Sequence, residues 1–383
     1  MALHFTREEF AARMTRATAA MAARGLDGML LFQQESMYWL TGYDTFGFCF
    51  FQCLYVGADG RLALLTRSAD LRQAQQTSLI ENIRIWTDAA GAQPAAQLKD
   101  MLESLGCRGH RLGIETKSYG LTHFNGRAVD GALDGFCSLA EATDLIDRLR
   151  LTKSAAELKY VRTAGKLGDV ALKAAIRKTK AGADEGAILA AQQAAIFEGG
   201  GDYPANEFII GSGRDALLCR YKAGRRKLSK RDQMTLEFAG VYRHYHAALM
   251  RTLIIGKPSR QHEAMDTACQ AALAAVEDKL RPGNTAGDVF AAHARVMDEH
   301  GMAEHRLNAC GYSLGAKFTP SWMDPPMFYA GNPEVLGAGM VFFAHMILMD
   351  SGSGSAYCLG RTYILRDKGP EALSSYPLDM IVR

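Results

Sequence analysis

This chain lacks an excess of either charge. Its 44 Lys and Arg stand against 41 Asp and Glu, leaving a formal net charge of +3. That balance excludes the basic footprint of a nucleic-acid binder. The one basic run, residues 222–231 (KAGRRKLSKR), reads as a solvated loop ahead of a strand. The eight cysteines form no C-x-x-C pair; Cys49 and Cys53 come nearest, one residue too far apart. Zinc and disulfide frameworks are therefore excluded, and reduced, buried thiols are expected. No apolar run is long enough to span a bilayer, and the opening MALHFTREEF has no signal-like apolar core. The expectation is a cytoplasmic protein without membrane or nucleic-acid partners. No low-complexity tract or short-period repeat is visible, which rules out a solenoid.

What the chain does have is apolar material, 48% of 383 residues, enough for two cored domains. In the first part, residues 8–24 are Ala-rich with helical spacing and run into Gly25, and residues 28–32 (GMLLF) read as a buried strand. Residues 54–56 and 62–65 flank Ala58-Asp59-Gly60, a hairpin signal. Residues 95–105 have helical spacing after Pro94, and residues 111–115 form another strand. This alternation predicts an α/β N-terminal domain over residues 1–152.

The second part, residues 153–383, opens on Ser154 followed three residues later by Glu157, a capping box ahead of a long helix. Helical stretches over 185–197 and 262–280 follow, with β-rich runs at 234–238, 248–255 and 341–349. Within the first of these runs Glu237 is flanked by Leu236 and Phe238. A carboxylate among apolar neighbours is paired, protonated or functional, since burying a bare charge is costly. A salt bridge to Arg251, or a solvent-facing position, remains the alternative to a nucleophile or general base.

Several segments together resemble the creatinase, prolidase and aminopeptidase P family. They are residues 25–43 (GLDGMLLFQQESMYWLTGY), 111–116 (RLGIET), 234–252 (MTLEFAGVYRHYHAALMRT), 311–315 (GYSLG) and 339–345 (GMVFFAH). The resemblance covers nearly the whole chain. It implies an α+β protein in which the α/β N-terminal domain is followed by a pita-bread (creatinase/aminopeptidase) catalytic domain. It also implies where metal ligands would sit in the peptidase members. Those positions hold Glu237, Ala248, Tyr312, His345 and Gly360 here, and one carboxylate does not make a two-metal site. The resemblance is therefore to the metal-free branch, most like ectoine hydrolase, and no metal or other cofactor is expected.

On that resemblance the expected reaction is hydrolysis of a C–N bond in a small amidine- or guanidine-bearing carboxylic acid. Glu237 is the expected nucleophile or base, with His345 and His246 as further catalytic candidates. Arg220 stands in SGRDALLCRY, residues 212–221, where the family places a histidine that shuttles protons. An arginine does not act as a base near neutrality, but it clamps carboxylates. Arg220 thus either holds a substrate carboxylate or pairs with Glu237. Tyr312, Trp322 and Tyr245 are candidate substrate contacts; as neighbours in a strand Tyr245 and His246 face opposite sides, and parity from Glu237 would favour Tyr245 in an unbroken strand, but the turn between them leaves that count open. In creatinase a partner subunit completes the pocket, which implies a homodimer here. Of Phe48, Gln52 and Arg67 in the corresponding stretch, Arg67 is the favoured partner contact. The alternatives are ordinary packing for Tyr245, His246, Tyr312 and Trp322, a hydrogen-bonded core histidine for His345, and an ordinary surface arginine for Arg67. A metallo-aminopeptidase with atypical ligands, a non-catalytic binding homologue and a lyase of the same family stay open.

Overall fold

The computed structural model describes residues 3–220, 224 and 226–383; Lys222 and Arg225 of the basic run lie outside them. The chain divides into two compact units, Met1–Arg150 and Leu151–Arg383. The division falls just before Thr152, which bridges to Met340 and so belongs with the second unit.

The first unit carries strands β1 (Gly28–Leu31), β2 (Cys53–Gly57), β3 (Leu62–Arg67), β4 (Ile83–Trp86), β5 (Arg111–Ile114) and β6 (Ser138–Glu141). Its helices are α1 (Arg7–Ala23), α2 (Gln34–Thr41), α3 (Leu71–Thr77), α4 (Pro94–Ser104), α5 (His123–Leu133) and α6 (Thr143–Leu151). The six strands form one mixed sheet in the order β4-β3-β2-β1-β5-β6. The expected hairpin is β2–β3, antiparallel, with the Asp59 carboxylate accepting from the Arg61 backbone amide. Helices cover both faces, because the central strands are buried on both sides: Leu30 packs with Leu98 and Val129, whereas Met29 and Leu31 pack with Ala17 and Met21.

Glu115, the acid of RLGIET, is fully buried just past β5. It accepts from the amides of Phe32 and Gln33 at 2.9 and 2.7 Å and from the Ser36 hydroxyl at 2.5 Å. These groups lie at the start of α2, whose first amides have no partner within the helix. One buried carboxylate therefore ties that helix start to β5.

The second unit begins with α7 (Ala155–Lys178), where the Ser154–Glu157 capping box is formed in both directions. Helices α8 (Glu185–Glu198), α9 (Arg260–Lys279) and α10 (Ala286–Glu299) follow. The strands are β7 (Ile209–Ser212), β8 (Asp232–Tyr242), β9 (Tyr245–Ile255), β10 (Ala309–Ser313), β11 (Asp324–Tyr329), β12 (Val341–Asp350), β13 (Ser355–Arg366), β14 (Gly369–Ala372) and β15 (Ile381–Val382). They form one sheet whose main path is β11-β10-β12-β13-β9-β8-β7. Helices pack on one face. Gly240 on β8 makes this possible, since a Cβ there would lie 1.9 Å from the Ala164 carbonyl of α7. Leu348, Met346 and Leu359 pack with Met265 and Val289 of α9 and α10 on that same face. Period-two alternation then turns Glu237 and His345 to the opposite face.

Candidate active site

Strand register assembles a row of residues across the face opposite α7, α9 and α10. Glu237 of β8 pairs with Met250 of β9, Met250 with Gly360 of β13, and Gly360 with His345 of β12. Tyr312 of β10 pairs with Phe343, two residues from His345 and on the same face. Ala248, two residues from Met250, also faces this side. The five positions singled out by the family resemblance thus come together on one surface, and Glu237 is the only carboxylate among them.

The middle of the row has no room for a longer side chain at position 360. A Cβ on Gly360 would meet the Ala344 carbonyl at 2.8 Å and the Phe343 ring at 3.0 Å. Among the described residues no three His, Cys, Asp or Glu side chains gather as a metal site. The donor set of one carboxylate, one phenol and one imidazole does not fit a pair of hard cations, which need several oxygen ligands.

Glu237 is part-buried, and Tyr312 donates to its Oε1 at 3.2 Å. Tyr312 in turn accepts from the Trp322 indole Nε1 at 2.9 Å. The Trp322 backbone amide donates to Asn206 Oδ1 at 3.1 Å. Burial pushes the Glu237 carboxyl up to about 7, against the Tyr312 hydrogen bond and the positive charge of Arg220, which both pull it down. Burial, together with the negative charge of Glu237, drives the Tyr312 phenol well above its ordinary range. It therefore stays protonated and donates.

Arg220 is exposed, and among the described residues it makes no ion pair with Glu237. Its charge is nevertheless felt by Glu237, Tyr312, His345 and Cys219. The guanidinium is left available at the edge of the site. His345 is buried with its Nδ1 unpartnered among the described residues, and its ring lies 5.7 Å from that of Tyr312. Burial, with the charges of His293 and Arg220, lowers it to about 3, so the imidazole is neutral near pH 7.

The turn decides which of His246 and Tyr245 faces Glu237, and it is the reverse of an unbroken strand's parity. Arg243 and His244 both adopt positive φ, 52° and 64°, closing a two-residue turn in which Tyr242 pairs with Tyr245. His246 consequently opposes Val241 and lies on the Glu237 face, and Tyr245 points to the other. There the Tyr245 hydroxyl donates to Glu157 Oε1 at 2.7 Å, linking β9 to the α7 capping box. His246 is fully buried behind Trp322, ring centroids 6.1 Å apart, and its Nε2 accepts from the Ala205 amide at 2.9 Å. With Nε2 occupied and burial lowering it to about 3, it is a neutral support for the Ala205–Asn206 segment and Trp322.

In the first unit Arg67 donates through Nε to Asp88 at 3.0 Å and lies over the Phe50 ring at 4.1 Å. Gln52 is buried and donates to Gln34. Three contributors to the site were not singled out from sequence. Asn206 anchors Trp322. Cys219 and Cys358 are close enough to Glu237 that its charge helps raise both thiols, burial being the larger cause. The only sequence signal was the position of Cys219 directly before Arg220. All eight cysteines are free thiols, but Cys49 is exposed and Cys137 and Cys219 are half-buried, so the expectation of uniformly buried thiols is corrected.

Residues 159–365 match the metallopeptidase family M24, and residues 13–152 match the creatinase/prolidase N-terminal domain. The chain is 27% identical to ectoine hydrolase of Halomonas elongata over 399 aligned residues, covering 100% of this chain and 99% of that protein. The crystal structure of a prolidase from Thermococcus sibiricus superposes with a TM-score of 0.88 at 21% identity, covering 98% of this chain and 99% of that one. Dipeptidase PepE from Mycobacterium ulcerans superposes with a TM-score of 0.84 at 25% identity, with 99% of both chains covered.

Proposed function

This chain belongs to the metallopeptidase family M24, and on that premise we propose that it is a metal-independent hydrolase of a C–N bond in a small amidine- or guanidine-bearing carboxylic acid. The full-length likeness to ectoine hydrolase supports the reaction class. Fold alone does not choose among the family's chemistries. The observation that carries the reading is Glu237: a part-buried carboxyl held near 7, hydrogen-bonded by Tyr312, in a row where the other metal-ligand positions are Ala248, Tyr312, His345 and Gly360.

A carboxyl of that strength suits both halves of a hydrolysis near neutrality. As carboxylate, Glu237 takes a proton from water while the water oxygen bonds to the electrophilic amidinium carbon. The tetrahedral adduct then collapses: the C–N bond breaks, its electron pair stays on nitrogen, and the Glu237 carboxyl returns the proton to that leaving nitrogen. The adduct's hydroxyl proton follows to the amine as the carbonyl forms, so an amidinium gives an amide and an ammonium group, and a guanidinium gives a urea and an ammonium group. Neutral His345 stands by as an alternative carrier of that proton. Tyr312 holds Glu237 in place, and Trp322 fixes the Tyr312 hydroxyl. Arg220, free of Glu237, is placed to hold the substrate carboxylate. The same proposal includes a homodimer; Arg67 would have to leave Asp88 to reach a partner's pocket.

The test is turnover of a panel of cyclic amidines and guanidino acids, ectoine and creatine among them, followed by mass spectrometry on metal-analysed protein. Product formed in chelator supports the reading. Activity that appears only with Mn(II), and on Xaa-Pro dipeptides, replaces it with a metallopeptidase of unusual ligands. Binding without product replaces it with a binding protein.

A further inference from the structure

A second cavity, of about 670 Å³, opens in the catalytic unit among the end of β7, the start of β8, the turn between β12 and β13, and the start of α9. None of Glu237, Tyr312, Trp322 or His345 lines it. Its floor is the side-chain amide of Gln233, buried and fully bonded. That amide donates to the carbonyls of Gly213 and Gly354 at 2.8 and 2.7 Å and accepts from His262 Nε2 and the Ala356 amide. Three separate walls are therefore pinned to one side chain, and the cavity is a built feature of the fold.

Its charge is lopsided. Arg226 is neutralised by Asp232, to which it donates at 2.6 Å. Arg214, Arg231 and Lys257 also line the cavity, and among the described residues none of them has an ion-pair or hydrogen-bond partner. Against these three free cations stands, among the described lining residues, one free acid, Asp215. The hydroxyl of Ser355 and the N-terminal turn of α9 at Ser259 add donors to the same space, whereas the Ser353 hydroxyl is spent on Asp350. Among the described residues Ile254 is the only large apolar side chain on the lining, and the one ring there is the half-buried His262 imidazole, whose two nitrogens are already engaged by Ser259 and Gln233.

We propose that this cavity binds an oligophosphate chain. Guanidinium forks match phosphate oxygens, and a Lys adds a point charge. The space exceeds what a single phosphate fills, and three cations distributed around it suit a chain carrying several charges. With no Phe, Tyr or Trp face among the described lining residues, recognition falls on the phosphates themselves, whether they come from an inorganic chain or from the tail of an organic ester.

The test is isothermal titration of the full chain with inorganic tripolyphosphate. Saturable binding of one equivalent is expected. It should weaken at least about tenfold in the Arg214→Ala/Lys257→Ala double variant, whose exposed side chains are not needed for folding. Lys173→Ala, which removes a charge on the exposed side of α7, should leave binding unchanged, as should Glu237→Gln. A nucleoside triphosphate should bind as tightly as tripolyphosphate, and citrate at least about tenfold more weakly. No saturable binding, equal weakening by Lys173→Ala, or citrate matching tripolyphosphate overturns the proposal. A nucleoside triphosphate that binds about tenfold tighter overturns recognition of the phosphate chain alone.

Discussion

The Tyr312 hydroxyl donates to Glu237 Oε1 at 3.2 Å although their strands, β10 and β8, are four steps apart in the sheet order. At the usual spacing between strands a flat sheet would separate them by about 19 Å, beyond the combined reach of a Tyr and a Glu. The contact is therefore a direct product of sheet curvature, and it makes Glu237 a reporter on that curvature. Tyr312→Phe removes the donor while keeping the ring. We expect a loss of roughly ten- to a hundredfold in kcat, from about 1.5–3 kcal/mol for a hydrogen bond to a charged group. The acid limb of the pH–rate profile should move to higher pH, because the lost bond favoured the carboxylate. Steady-state kinetics across pH checks both.

Trp322 acts one step back, through Tyr312. Trp322→Phe leaves the Tyr312 hydroxyl without its indole donor and opens space in a position that is 1% exposed. The expected cost is about 2 kcal/mol of stability, measured by urea unfolding. It should come with a smaller drop in kcat than that of Tyr312→Phe.

Arg220 should separate binding from chemistry. If it clamps a substrate carboxylate, Arg220→Ala raises KM at least about tenfold with a smaller change in kcat, the pattern of a lost ground-state contact. Arg220→Lys should restore part of it, since the charge returns without the fork. The alanine variant should also lift the acid limb, because the Arg220 charge pulls the Glu237 carboxyl down.

In the first unit the decisive group is Glu115. Glu115→Ala leaves the amides of Phe32 and Gln33 and the Ser36 hydroxyl without their buried acceptor. At roughly 1–3 kcal/mol for each stranded donor, the loss should be at least about 3 kcal/mol. Urea denaturation followed by tryptophan fluorescence tests it, with faster hydrogen exchange at Phe32 and Gln33 as the local signature.

Local chemistry was the legible part of this chain. Ser154 and Glu157 announced the start of α7 because a capping box is contained in four residues. The equivalent box at Thr285 and Asp288, which starts α10, went unread because Asp stands where Glu is the usual signal. Glu237 stood out as an acid in an apolar strand. The sides taken by Tyr245 and His246 did not follow from parity, since a two-residue turn built from Arg243 and His244, neither of them glycine, reverses the count. Asn206 and Cys358 were invisible because their link to the site exists only in space. The reach of Tyr312 to Glu237 depends on curvature, which no short segment encodes.

The proposed chemistry turns on Glu237, and the most direct measurement is kcat/KM against pH in the presence of chelator, for the natural enzyme and for Glu237→Gln. The raised carboxyl must lose its proton to act, so activity should climb with pH through a midpoint near 7. Glu237→Gln should be flat and at least about a thousandfold slower. Activity that vanishes in chelator and returns with Mn(II), or a glutamine variant that keeps the limb near 7, would contradict it.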